Sequence, residues 1–261
     1  MSDTEVAYAK EAIAAARRGR DNIAELAGSM EGVDLLSQSG AGDWTVAKVL
    51  SHMGSGAEIG LATLTAGKAD PSSNQAVWAR WDAMSPDEKA ESYILWSGRH
   101  IDGLEALDDD ALANMRVDVG YLPEPINIAF LTELLLSEVG LHGWDVDVAF
   151  ERTSAVRQYT VPYGIEVMTR FAGLFAQPLG KTGKVEVLTE DTGGEYVIDF
   201  TTQGISMAAG RAEGAEASAA MSAEAFLRLL SGRLAPIYTP PSVIVAGSFT
   251  LDDLRQAFPG Y

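Results

Sequence analysis

Near Arg152 the apolar residues of this 261-residue chain change their rhythm. Before that point they recur at helical spacing; after it come short runs of strand character bounded by glycine. Residues 5–26 are rich in alanine with apolar side chains one helical turn apart, and the glycine-rich stretch at 39–43 ends that region. Thr45 is placed to cap a second helix over 46–64. A linker containing Pro71, Ser72 and Ser73 follows. Ser85-Pro86-Asp87-Glu88 combines a capping serine, a proline at the first helical position and acids in the first turn, which predicts a third helix running to Leu107. Pro123 and Pro125 precede a fourth, over 126–150, with Phe130, Leu134, Leu141 and Val148 among its apolar positions. Four long helices predict a bundle, the architecture in which metal sites are built from side chains facing the interior.

Beyond Arg152 one more helix is expected over 163–175, then a turn at 180–183 and strand-like runs at 185–189, 196–201, 205–208 and 215–221. Gly193-Gly194 reads as a hairpin turn between the first two runs. A helix at 223–230, a strand at 242–246 and a last helix at 251–258 complete the pattern. The expected fold class is therefore α+β in two domains, a helical one over 1–152 and a smaller α+β one over 153–261.

Formal net charge is −18, from 37 acidic and 19 basic residues, so a nucleic-acid partner, which normally meets a basic patch, is not expected and an anionic membrane surface is disfavoured. The longest apolar run, 126–136, is too short to span a bilayer. The acidic N-terminus lacks the features of a signal peptide, and a cytoplasmic location is expected. With no cysteine, the chain has no thiolate ligand and no sulfur nucleophile of its own.

Only three histidines are present, so metal or nucleophile chemistry has few possible carriers. Glu138 and His142 lie four apart on the fourth helix, about 40° apart around its axis, and can grip one ion together. The same spacing also suits an ordinary intrahelical pair on a solvated face. Their neighbours Leu134, Leu135, Leu136 and Leu141 place them near the buried stripe, where a carboxylate needs a partner. His52, on the second helix, could supply a third ligand, or be a hydrogen-bonded boundary residue. Two histidines and a carboxylate suit a catalytic zinc with one position open. Asp145, three residues after His142, is either a carboxylate orienting that imidazole or a helix-surface acid. His100 stands among polar neighbours and is expected at the surface.

The run Trp44-Thr-Val-Ala-Lys-Val-Leu-Ser-His52, followed by Glu138-x-x-x-His142-x-Trp-Asp145, resembles the mycothiol-dependent maleylpyruvate isomerase family, within the DinB-like four-helix-bundle superfamily. In the second half, Phe226-Leu-Arg-Leu-Leu-Ser-Gly-Arg233 and Val243-Ile-Val-Ala-Gly247 resemble the sterol-carrier-like domain that members often carry; Ser248 departs from the acid often found there. The resemblance implies a divalent metal, usually zinc, on His52, Glu138 and His142, with mycothiol as the thiol cofactor. It also implies an arginine clamping a substrate carboxylate, best matched by Arg233, with Arg228 and Arg211 as alternatives. The implied reaction is cis–trans isomerisation of maleylpyruvate by reversible thiol addition. A mycothiol S-transferase with the same site is the second reading, and a non-catalytic lipid-binding module the third. Either enzyme would act on small molecules rather than on nucleic acid or membranes.

Overall fold

In the structure, a computed structural model that describes residues 3–260, the helix starts follow their local caps. The Thr45 hydroxyl accepts from the Lys48 N–H (3.3 Å) and opens a helix. Ser85 and Glu88 form a reciprocal capping box that opens another. Such caps are each worth about 1 kcal/mol. The chain divides between Glu151 and Arg152 into two units, and the whole is α+β.

The first unit contains α1 (Asp3–Ser29), α2 (Gly32–Leu35), α3 (Val46–Ala66), α4 (Pro71–Ala83), α5 (Pro86–Glu105), α6 (Asp109–Asn114), β1 (Arg116–Val117), β2 (Ile126–Asn127) and α7 (Ile128–Asp147). The four long helices close a ring: α1 packs on α5 and α7, and α3 packs on the same two from the other side. The α3–α5 seam is the densest of the four and the α3–α7 seam the sparsest. Ile23, Leu35, Val49, Leu50, Tyr93 and Val139 share the interior of this bundle. Each fully buried aliphatic side chain there contributes about 1.5–3 kcal/mol relative to exposure.

Three local expectations change. Pro71, Ser72 and Ser73 do not form a linker but open α4, because the Asp70 carboxylate accepts from the Ser72 N–H (3.1 Å) and Pro71 occupies the first turn. α4 is then held by Trp81, fully buried over Gly54 of α3, where an added Cβ would lie 2.2 Å from the indole. The fourth long helix begins at Ile128 rather than Ile126, since Ile126 and Asn127 pair with Val117 and Arg116 and the Asn127 side chain then caps α7. His100 is not at the surface. It is 6% exposed, its ring packed against Gly60 of α3 so closely that a Cβ there would sit 2.6 Å from Cε1. Arg99 and Asp102 beside it are exposed, but Ser97, one turn back, is buried with it, and the sequence neighbourhood of one residue does not reveal which face is covered.

The second unit carries α8 (Val161–Phe175), β3 (Gly183–Thr189), β4 (Gly194–Phe200), β5 (Ile205–Ala209), β6 (Ala217–Met221), α9 (Ala223–Leu230), β7 (Ile244–Gly247) and α10 (Leu251–Ala257). The strands form one sheet in the order β5-β4-β3-β6-β7, antiparallel except for the β3–β6 pair. Val185, Val187, Ile198, Phe200, Ala217 and Ala219 alternate inward, the period-two pattern of a sheet with one covered face. Gly193, at φ +70°, ends the β3–β4 turn.

Candidate metal centre

The sparse α3–α7 seam is where the chemistry-bearing side chains meet. His52 lies on α3, Glu138 and His142 one turn apart on α7, and one ligand atom from each falls within 4.8 Å of the other two. His52 Nε2 is 3.1 Å from Glu138 Oε2, and His142 Nε2 is 3.4 Å from that same oxygen. Tetrahedral ligands at zinc bonding distance stand about 3.3 Å apart, so two of the three edges already have the span a zinc ion requires. The burial is graded: the His142 side chain keeps 5% of its surface exposed, while those of Glu138 and His52 keep 40% and 43%. One side of the cluster is therefore fixed in protein and the other opens to solvent.

Asp145 settles the tautomer of His142. Its side chain is wholly buried and its Oδ2 lies 2.8 Å from His142 Nδ1. A carboxylate only accepts, so Nδ1 carries the proton and Nε2 is turned toward Glu138. A ring lone pair and a carboxylate oxygen 3.4 Å apart repel each other unless a proton or a cation lies between them. The donor set of two imidazole nitrogens and one carboxylate oxygen, with a carboxylate behind one imidazole, fits a divalent metal.

The electrostatics agree. Although 40% of the Glu138 side chain stays exposed, the protein packed around its carboxyl would by itself raise it. Hydrogen bonding and positive charge on the His142 and His52 side, as a proton or a cation between these groups supplies, outweigh this and hold it well below the usual carboxylate range, so it stays anionic.

Trp44 had no role assigned from sequence, although it stands just before the Thr45 cap and two helical turns from His52. Its indole lies 6.2 Å from the His142 ring at 15° and 5.3 Å from the His52 ring at 53°, and the two imidazoles meet edge-on at 4.7 Å. Three rings thus wall one side of the cluster.

The arginines belong to the second unit. Arg233 follows α9, is 7% exposed, and donates from Nη1 to the Ser231 carbonyl (3.0 Å). The preceding Gly232 has φ +74°, and a Cβ there would lie 2.4 Å from the Gly260 nitrogen, so only glycine fits this Gly-Arg step. Arg228 is committed to a buried pair with Glu224 (2.7 Å and 2.9 Å) and to the Tyr238 carbonyl. Arg211 is exposed and paired with Glu195. Among the described residues, no helix is long and apolar enough to cross a membrane.

Comparison with known proteins follows the same lines. The family model described as the mycothiol maleylpyruvate isomerase N-terminal domain matches residues 16–147, which include all three cluster residues. No curated protein matches the chain in sequence. Among solved structures, the crystal structure of the mycothiol-dependent maleylpyruvate isomerase aligns with TM-score 0.67 at 15% identity, covering 93% of this chain and 95% of that one. A histidine-to-alanine mutant of that enzyme aligns equally well, at 14% identity. At these identities the likeness is one of fold, and it extends over both units. The match across half the chain makes this protein a member of the mycothiol maleylpyruvate isomerase N-terminal domain family.

Proposed function

We propose that the protein is a zinc- and mycothiol-dependent enzyme of the maleylpyruvate isomerase type. The observation that carries this reading is the convergence of His52 Nε2, Glu138 Oε2 and His142 Nε2 at ligand spacing, with Asp145 fixing the tautomer. A bound divalent cation would supply Lewis acidity that deprotonates a coordinated thiol at neutral pH. The chain has no cysteine and so contributes no thiol, and the thiol comes from the cofactor. Glu138 stays anionic and offsets the cation's charge, while Asp145 holds His142 in the tautomer whose Nε2 can ligate. The graded burial leaves the His52 side open for a small molecule. Arg233 is assigned to the substrate carboxylate, a role that suits a guanidinium's forked donors. We read the second unit as sterol-carrier-like, on its five-stranded sheet and the Gly232-Arg233 step, and place the reaction in the cytoplasm.

The test is an assay of zinc-loaded protein with mycothiol and maleylpyruvate, following conversion to fumarylpyruvate. Thiol-dependent isomerisation is expected. A stable mycothiol adduct of another electrophile, without isomerisation, would instead make the protein an S-transferase on the same site. A tightly held apolar ligand with neither zinc nor thiol dependence would make it a lipid-binding module. Arg233→Ala is expected to raise KM or lower kcat with zinc content intact; an unchanged kcat/KM would remove Arg233 from the substrate.

A further inference from the structure

The segment before α3 is built as a rigid arm, and its tip is Trp44. The Trp44 carbonyl accepts from the Ser39 N–H (3.0 Å), the Ser39 hydroxyl (2.7 Å) and the Gln38 amide (3.1 Å), and its own N–H donates to the Ala41 carbonyl (3.1 Å). Four hydrogen bonds thus fix the backbone at Trp44, and each removes freedom from the side chain it carries. The arm is also stitched to the helix that bears two of the three cluster residues. The Gly40 N–H donates to the Asp145 carbonyl at 2.8 Å. That approach requires glycine, since a Cβ at Gly40 would lie 2.7 Å from Val148 Cγ1 and 2.8 Å from the Trp144 ring. One residue, Asp145, thus anchors the arm through its backbone and His142 through its carboxylate.

The arm sets the Trp44 indole nearly parallel to the His142 ring and tilted against the His52 ring, both within the range of favourable aromatic pairing. An imidazole held by one hydrogen bond can still rock about that bond; a flat ring stacked on its face removes the motion. His52 needs this support more than His142 does, because 43% of its side chain is exposed.

We infer that Trp44 is a positioning residue of the metal centre: its indole, fixed through the 38–44 arm to α7, holds both imidazoles in the convergent orientation and shuts water out on that side. The inference rests on the proposed metal site and deepens it. Residues that orient ligands from behind typically change metal affinity by roughly 10- to 100-fold when removed.

The experiment measures Zn2+ affinity by competition with a chromophoric chelator, and the visible spectrum of the Co2+-loaded full chain, for wild type, Trp44→Phe, Trp44→Leu, Trp44→Ala and Gly40→Ala. Trp44→Leu and Trp44→Ala are expected to lose roughly 10- to 100-fold in Zn2+ affinity and to shift the Co2+ bands, with Trp44→Phe close to wild type. Gly40→Ala touches no ligand, yet is expected to weaken Zn2+ binding by pushing the arm off α7. Should Trp44→Ala fail to fold, Trp44→Leu, which keeps apolar bulk without the flat ring, decides the matter. Wild-type affinity and an unchanged Co2+ spectrum in the leucine variant would overturn the Trp44 assignment while leaving the metal reading in place. No Zn2+ uptake by the wild-type chain would overturn both.

Discussion

Helix α3 has two working faces, and they are opposites. Toward α5 it presents Gly60 and Leu61, and the seam is dense: His100 lies against Gly60, and Leu61 reaches to Gly103. Toward α7 it presents His52, and the seam is sparse, polar and partly open. Both seams contain a buried imidazole. His142 has a carboxylate at one nitrogen and another 3.4 Å from the other, whereas His100 Nε2 has no hydrogen-bond partner among the described residues. Close packing leaves the His100 imidazole against Gly60 with its Nε2 unpartnered among the described residues; looser packing lets charged groups converge around His142. The same four-helix ring thus separates stability from chemistry by how tightly two adjacent seams are filled.

The largest test of that contrast removes a cluster residue. His142→Ala is expected to abolish zinc uptake and turnover while far-UV circular dichroism stays near wild type, since the sparse seam carries little of the core. Zinc retained at one equivalent, or loss of the helical signal, would erase the distinction between the seams.

The dense seam is tested with acid. Burial pushes the His100 imidazole down from 6.5 to about 4. Between those values the unfolded chain takes up a proton that the folded chain refuses, so the stabilising effect of this site is complete above pH 6.5 and is lost as pH falls toward 4. The loss is on the order of 3 kcal/mol. Denaturant titrations of wild type and His100→Met at several pH values should therefore diverge across this window, the wild type losing stability faster. Parallel curves would mean His100 is not held neutral.

A smaller effect is expected behind the cluster. Asp145→Asn keeps the size of the side chain but can donate to His142 Nδ1 and favour the wrong tautomer. Zinc affinity should fall roughly 10- to 100-fold, about 1.4–2.7 kcal/mol. An unchanged affinity would show that Trp44 and packing alone orient the ring. The smallest is Thr45→Ala, expected to cost about 1 kcal/mol of folding stability through the lost α3 cap and to leave zinc affinity unchanged.

What was legible in the sequence follows from the range of the interactions. The helix starts at Thr45 and Ser85 and the strands of the second half were readable because caps, glycine turns and alternation act within a few residues. Asp70 is a capping residue of the same kind, and reading Pro71 as a linker overlooked it. The grouping of Glu138 with His142 was visible as a helical spacing, but spacing could not say whether the pair faced water or a third ligand. His52 joins it across 86 positions of chain, which only the ring of helices brings about. The burial of His100 is hidden from its sequence neighbours for the same reason: it is decided by Gly60 on another helix. Trp44 went unassigned because its part depends on three ring planes meeting in space.

The most direct measurement is anomalous diffraction at the zinc edge from crystals grown with Zn2+ and no chelator. A single peak is expected between α3 and α7, about 2.0–2.2 Å from His52 Nε2, Glu138 Oε2 and His142 Nε2. A peak elsewhere, or none at full zinc occupancy of the solution, with those three side chains turned apart, would contradict the account.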